Sequence, residues 1–193
     1  MHRPPAANSI GGGLRDLGNI MTFSLYAATV PSYRQILGGI AGLLLTAQTF
    51  CADKGIAPTE LTQARLAPDM FPFSFQVKLT IGHSIGAIEG IRKGTFSPDT
   101  SPAPDSFEGL TRQVDDALER LAKVAPAEID GCLGRDMQFV FGERRLPFTA
   151  EDYLLSFAQP NFYFHAATAY DILRWKGLAI GKRDFIGKLR LKS

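Results

Sequence analysis

Asn161 and His165 stand four residues apart within Leu146–Trp175, LPFTAEDYLLSFAQPNFYFHAATAYDILRW. On a helix that spacing puts them one turn apart on one face, together with Leu154, Phe157, Thr168 and Ile172 at intervals of three and four. An imidazole and a carboxamide in an apolar stripe each need a hydrogen-bond partner or a ligand. The chemistry open to them is hydrogen bonding and general acid–base catalysis by histidine. A second polar line, Gln76, Thr80 and His83, is spaced by four and three beside the apolar stripe Val77, Ile81, Ile85, Ile88 and Ile91. It would look toward Asn161 and His165 across a core. His83 taken alone reads as a histidine at the solvent edge. The candidate binding residues are therefore His165, Asn161, Gln76 and Thr80, around a small molecule at the centre of the fold. No residue is assigned a catalytic role.

Other chemistries are excluded by what the chain lacks. It has no GxSxG, no cysteine/histidine nucleophile signature, no phosphate loop and no HExxH. Of three histidines, His2 lies in a leader rich in Gly and Pro, so the folded part holds too few for a three-histidine centre. A mixed ligand set stays open, but no metal and no cofactor is expected. Glu151 and Asp152 fall in a first helical turn, where compensation of the macrodipole accounts for them.

The elements that must position these residues follow from periodicity. Thr149 with Asp152 three later resembles a capping box and sets the start of the last long helix, in which Pro160 should produce a kink. Pro31 suits a first turn, so a helix is expected from about Val30 to Asp53, closed by Gly55. Gly38, Gly39 and Gly42 weaken its helix propensity and require close packing in return. A connector with a short helical piece at Thr59–Arg65 leads through the stiff RLAPDMFPF to a helix from about Pro72 to Lys93. Gly94–Pro104 reads as a loop. Asp105 with Glu108 then caps a helix reaching Ala125, and Met137–Phe141, Gly142-Glu143 and Arg144–Phe148 read as a hairpin. Four long amphipathic helices in 193 residues predict an all-α protein, an antiparallel four-helix bundle with a small β-hairpin before the last helix. The organisation is a disordered leader over 1–20, one bundle domain over 21–187, and a basic tail over 188–193.

The formal net charge of +2 is the balance of 21 basic and 19 acidic residues, mostly interspersed. Lys182, Arg183, Lys188, Arg190 and Lys192 cluster without a recognition motif and read as a solvated tail, so nucleic acid is not an expected partner. ILGGIAGLLL, Ile36–Leu45, is too short to span a membrane and reads as a buried helix. Cys51 and Cys132 lack disulfide or zinc spacing and fit a reducing, cytoplasmic setting. Phe162, Tyr163 and Phe164 run almost round the last helix, which makes a homodimer contact a candidate.

Four stretches carry a resemblance: RLAPDMFPF at Arg65–Phe73, EDYLL at Glu151–Leu155, PNFYFHAATAYDILR at Pro160–Arg174 and GKRDFIG at Gly181–Gly187. Together they resemble the uncharacterised domain-of-unknown-function family 1993, over about Met21 to Gly187. That family is similar in architecture to the DinB/YfiT-like four-helix bundles, a resemblance that implies metalloenzymes or thiol-dependent transferases with a divalent metal on three histidines. One such histidine comes from the second helix and two, a turn apart, from the fourth. The resemblance places His165 at the second of that pair and Asn161 at the first, with Gln76 or Thr80 where the second helix would supply the third. Asn, Gln and Thr are poor ligands for zinc or nickel. It therefore implies the fold more firmly than the metal.

Two functional readings stand ahead of a metal-dependent transferase. The favoured one is an interaction or structural protein whose superfamily metal site has degenerated, its polar residues bonded to one another. The other is a small-molecule-binding protein or enzyme using His165 as acid or base. A cavity, rather than direct contact, between His165 and the second helix would favour the latter.

Overall fold

The computed structural model describes residues 23–192. The expected disordered leader, 1–20, lies outside the described residues. The chain is mostly helical, with one small three-stranded sheet. Helix α1 (Leu25–Lys54) is capped by Ser24, whose side chain accepts from the Ala27 amide, and closes on Gly55 at φ 63°. It starts a turn earlier than Pro31 suggested. That proline lies inside the helix, where it costs one backbone bond. The short α2 (Thr59–Thr62) follows. Three consecutive segments, Phe73–Ile81, Gly82–Gly86 in π geometry and Ala87–Lys93, form one continuous rod, α3.

Gly94 ends that rod at φ 70° and turns the chain into β1 (Thr95–Phe96), a strand inside the stretch expected to be a loop. Ser106, rather than Asp105, caps α4 (Phe107–Ala122), because its hydroxyl reaches the Gly109 amide. Phe107, Leu110, Val114, Ala117 and Leu121 face inward and the intervening charges outward. The helix stops short of Ala125, and Pro126 opens a separate short helix, α5 (Pro126–Asp130). Strands β2 (Asp136–Phe141) and β3 (Arg144–Thr149) make the expected hairpin, with Gly142 at φ 57° in the turn. β1 adds to it in parallel, pairing Phe96 with Phe139. Pro147 is tolerated because β3 is an edge strand.

The last rod, α6, starts at Ala150 with Thr149 accepting from the Asp152 amide, as the sequence predicts. It runs through Ala150–Asp152, a π segment at Tyr153–Ala158, and Gln159–Trp175. Pro160 sits just past the π segment. It has no N–H to give the Ser156 carbonyl, and the wider turn leaves room for its ring. The π segment also changes the register: each residue in it advances less around the axis than an α-helical one, so the face after it is rotated from the face before it. Ala158, Phe162, Ala166, Ala169 and Leu173 consequently join the core, while Phe157 and Asn161 of the predicted stripe are only half-buried.

Helix α3 lies along α6, α1 along α4, and the core fills between them with Leu37, Leu44, Val77, Leu110, Phe162 and Leu173. Among the described residues α1 alone is long and apolar enough to cross a membrane. Its Leu37, Ile40, Leu43 and Leu44 are buried in the core. A final short helix, α7 (Lys182–Ile186), docks on α1 through Gly39, and Gln35 Nε2 donates to the Ile186 carbonyl.

Only Gly39 of the three helix-one glycines has the close packing expected of all of them. A Cβ there would overlap the Phe185 carbonyl oxygen, whereas nothing stands within 4 Å of one at Gly38 or Gly42. Gly39→Ala is expected to lose about 1–3 kcal/mol by forcing α7 off its seat. Gly38→Ala and Gly42→Ala should each gain up to about 1 kcal/mol of helix propensity. Urea denaturation of the three variants separates the two effects, and equal shifts for all three would contradict the docking account.

Candidate functional site

The polar centre is built from the two π-interrupted rods. Gln76 lies in the first turns of α3, where Pro72 sets the helix start and Phe71 still presents a free carbonyl. The Gln76 Nε2 amide donates to that carbonyl at 3.0 Å, which turns Oε1 inward. There it meets His165 Nδ1 at 2.7 Å. An amide oxygen only accepts, so Nδ1 carries the proton and the His165 Nε2 lone pair is the basic one. RLAPDMFPF thus has a mechanical role, since its last turn orients the carboxamide that sets the histidine tautomer.

The other candidate residues are not assembled with this pair. Thr80 is fully buried, but its hydroxyl donates to the Gln76 backbone carbonyl of its own helix. Asn161 is half-buried and gives its amide to the Phe157 carbonyl one turn back, not to His165. Both are ordinary i−4 bonds that satisfy the side chain locally. Of the four candidates the structure brings together His165 and Gln76 alone.

The residue underrated by sequence is His83. It is 6 % exposed, against the expectation of a solvent-edge histidine. It shares its helix face with Gln76 and Thr80, which are buried as well, so the whole polar line faces the core. Its ring centroid lies 5.6 Å from that of His165, with the planes 13° apart. Phe96 from β1 and Phe157 from the π segment of α6 flank it, each at 5.9 Å. Tyr153, Phe148 and Phe139 extend this aromatic wall. His83 Nδ1 is buried with no hydrogen-bond partner, as are the hydroxyls of Tyr33 and Tyr153. The signal for His83 in the sequence is its place on the line Gln76, Thr80, His83, which outweighs the solvent-edge reading of the residue taken alone.

Burial, and for His83 also the neighbouring imidazole, lowers the pKa of both histidines from 6.5 to about 4. Both rings are neutral at pH 7. A neutral imidazole there can donate one hydrogen bond and accept another.

His83 also lines a cavity of about 240 Å³ between α3 and the segment Thr95–Asp99. Gly82, Gly86 and Gly90 form its floor, and Lys78, Glu89, Lys93 and Asp99 stand around it. Lys78 pairs with Asp99 at 3.0 Å, and Glu89 pairs with Arg120. Among the described residues no group of three or more His, Cys, Asp or Glu side chains is placed to hold a metal ion.

With this geometry established, comparison with known proteins places the chain. The family model described as a domain of unknown function, DUF1993, matches residues 25–186. The chain belongs to the DUF1993 family. The match takes in the first three stretches on which the resemblance rests whole, and the fourth as far as Ile186. A crystal structure of a DinB family member from Shewanella denitrificans superposes with a TM-score of 0.73 at 24 % identity, covering 88 % of this chain and 95 % of that one. At that identity the likeness concerns the fold. No curated protein matches the chain.

Proposed function

We propose that this DUF1993 chain is a metal-free binding protein for a small molecule, built on a DinB-type antiparallel four-helix bundle in which α1, α3, α4 and α6 are the four helices. The observation that carries this is the cavity of about 240 Å³ between α3 and the Thr95–Asp99 segment, which the otherwise buried His83 lines. His165 has the opposite character. Its direct bond to Gln76 supports a role as an interhelical lock, and no cavity intervenes to admit a substrate for it to act on. That weighs against His165 as acid or base and for a protein that binds rather than catalyses.

The donor set does not fit the metal of the wider superfamily. His165 commits Nδ1 to Gln76, Asn161 commits its amide to Phe157, and the remaining imidazole, His83, is flanked by Phe96 and Phe157 and stacked on His165, with no third His, Cys, Asp or Glu among the described residues placed beside the pair to hold a metal. This supports reading the superfamily site as degenerate. Cys51 and Cys132, both buried and unpaired, support a reducing, cytoplasmic setting.

Elemental analysis of protein purified without an affinity tag is expected to give no stoichiometric zinc, nickel or iron. Native mass spectra are expected to show a fraction of chains carrying a small organic adduct that His83→Phe removes. Stoichiometric metal that disappears in His165→Ala would instead establish the metalloenzyme reading.

A further inference from the structure

Past α7 the chain has no regular secondary structure, yet it is seated on the protein. A Cβ on Gly187 would stand 3.1 Å from the Gln35 carbonyl oxygen and 3.2 Å from the Gly39 amide nitrogen, so the backbone packs directly on α1 there. Three residues later Arg190 donates to the Ser32 hydroxyl at 3.2 Å, about two turns back along the same helix. The segment 188–192 therefore runs along α1 toward its start. It alternates cation and leucine, Lys188, Leu189, Arg190, Leu191 and Lys192. Leu189 is 57 % exposed, and Leu191, at 81 %, is more exposed than any other large hydrophobic side chain among the described residues.

Charge gathers at the same place. Arg34 of α1, Lys188 and Arg190 line one open hollow of about 480 Å³ with Pro31, Gln35 and Leu118. No acidic side chain lines it, and none of the three cations is in an ion pair among the described residues. Lys182, Arg183 and Lys192, also exposed, continue the charge along α7 and the tail. Acids on the surrounding elements are fewer. α1 has none before Asp53, and α7 has only Asp184, which accepts from the Gly181 amide at 2.7 Å. On α4, Asp115 and Glu119 lie within a turn of Leu118, while Asp116 is taken by Arg120. The face is therefore cationic, and its apolar part is aliphatic.

We infer that this face docks on an anionic membrane surface, with lipid phosphates against Arg34, Lys188 and Arg190, and with Leu189 and Leu191 entering the acyl boundary. It shares no residue with the cavity beside His83 and stands independently of the small-molecule reading. A free inorganic anion would satisfy the cations and leave both leucines in water. Single-stranded nucleic acid offers phosphates but stacks its bases on aromatic rings, and 188–192 has none. Two leucines on five residues supply little of the about 800 Å² per partner that a stable protein interface buries. An anionic bilayer instead adds small separate contributions from each cation near its surface and each side chain that enters it. Seating the tail on α1 holds those groups on one side of the protein, which lets them act together.

The test is co-sedimentation of the full chain with vesicles of phosphatidylcholine alone and of phosphatidylcholine mixed with phosphatidylserine, at low and at high salt. Binding is expected to the mixed vesicles only, and to weaken as salt screens the charges. Lys188→Gln should weaken it about fivefold, and Arg34→Gln, Lys188→Gln and Arg190→Gln combined about a hundredfold with a flatter salt dependence. Leu189→Ser with Leu191→Ser should weaken it about tenfold and leave the salt dependence unchanged. These positions are exposed, so urea midpoints should match the parent chain. Phe71→Ser with Phe141→Ser, exposed aromatics outside this face, should bind as the parent does. No sedimentation with the mixed vesicles at low salt would overturn the inference, as would equal binding to phosphatidylcholine alone. Binding indifferent to the leucine pair would reduce the face to a charge contact and overturn it too. Loss of binding in the phenylalanine pair would place the membrane contact elsewhere. Polyglutamate bound as tightly as the vesicles, with the same dependence on Leu189 and Leu191, would make the face one for acidic proteins instead.

Discussion

Lowering the pH from 6.5 to 4 is expected to remove several kcal/mol of folding stability, and most of that loss should trace to His83 and His165. Both have folded-state pKa values of about 4 against 6.5 for a free imidazole. In that interval the unfolded chain binds protons that the native chain refuses, so stability falls as pH falls. Above pH 6.5 both states are neutral and the stabilisation is fully present. Below about pH 4 both are protonated and no further loss comes from these groups. One imidazole shifted over that range is worth about 3 kcal/mol. Two packed against each other also repel once charged, and a domain of this size has only about 5–15 kcal/mol in all. Denaturant midpoints measured across this range should show a steep acid limb. In His83→Phe, where an apolar ring replaces the orphaned imidazole among Phe96 and Phe157, the limb should lose about half its amplitude with stability at pH 7 retained or improved. A variant with an undiminished acid limb would mean that other groups govern it.

Phe162→Ala is expected to cost about 3–5 kcal/mol, the largest loss from a single truncation in α6. Its side chain is fully buried and meets the Tyr33 ring edge-on at 4.7 Å, joining the last rod to α1. Tyr33 is itself buried with an unpartnered hydroxyl, so the cavity left by Phe162 would admit water to a polar atom without restoring the lost ring contact. Phe164→Ala, two residues on and 57 % exposed, should change stability by no more than about 0.5 kcal/mol. Thermal or urea unfolding of the two variants reads the helix register directly. The three-four stripe drawn from Leu154 leaves Phe162 out, so a small effect at Phe162 would mean that the helix is α-helical throughout and that the rotation introduced by its π segment is absent.

What the amino-acid sequence determined here is local. Thr149 marks the start of α6, Gly55 the end of α1 and Gly142 the hairpin turn, because each depends on a cap or a positive φ settled within a few residues. The helical character and the inward direction of His165 and Gln76 also follow from apolar spacing, which survives wherever the helix stays regular. The tertiary structure decided what spacing cannot carry. Two π segments, at Gly82–Gly86 and Tyr153–Ala158, rotate the faces beyond them. The second puts Phe162 in the core and leaves Asn161 bonded to its own helix. The pairing of His165 with Gln76, 89 residues away along the chain, has the same origin. It is a contact between elements whose relative placement is set by the fit of whole faces and by no local sequence signal.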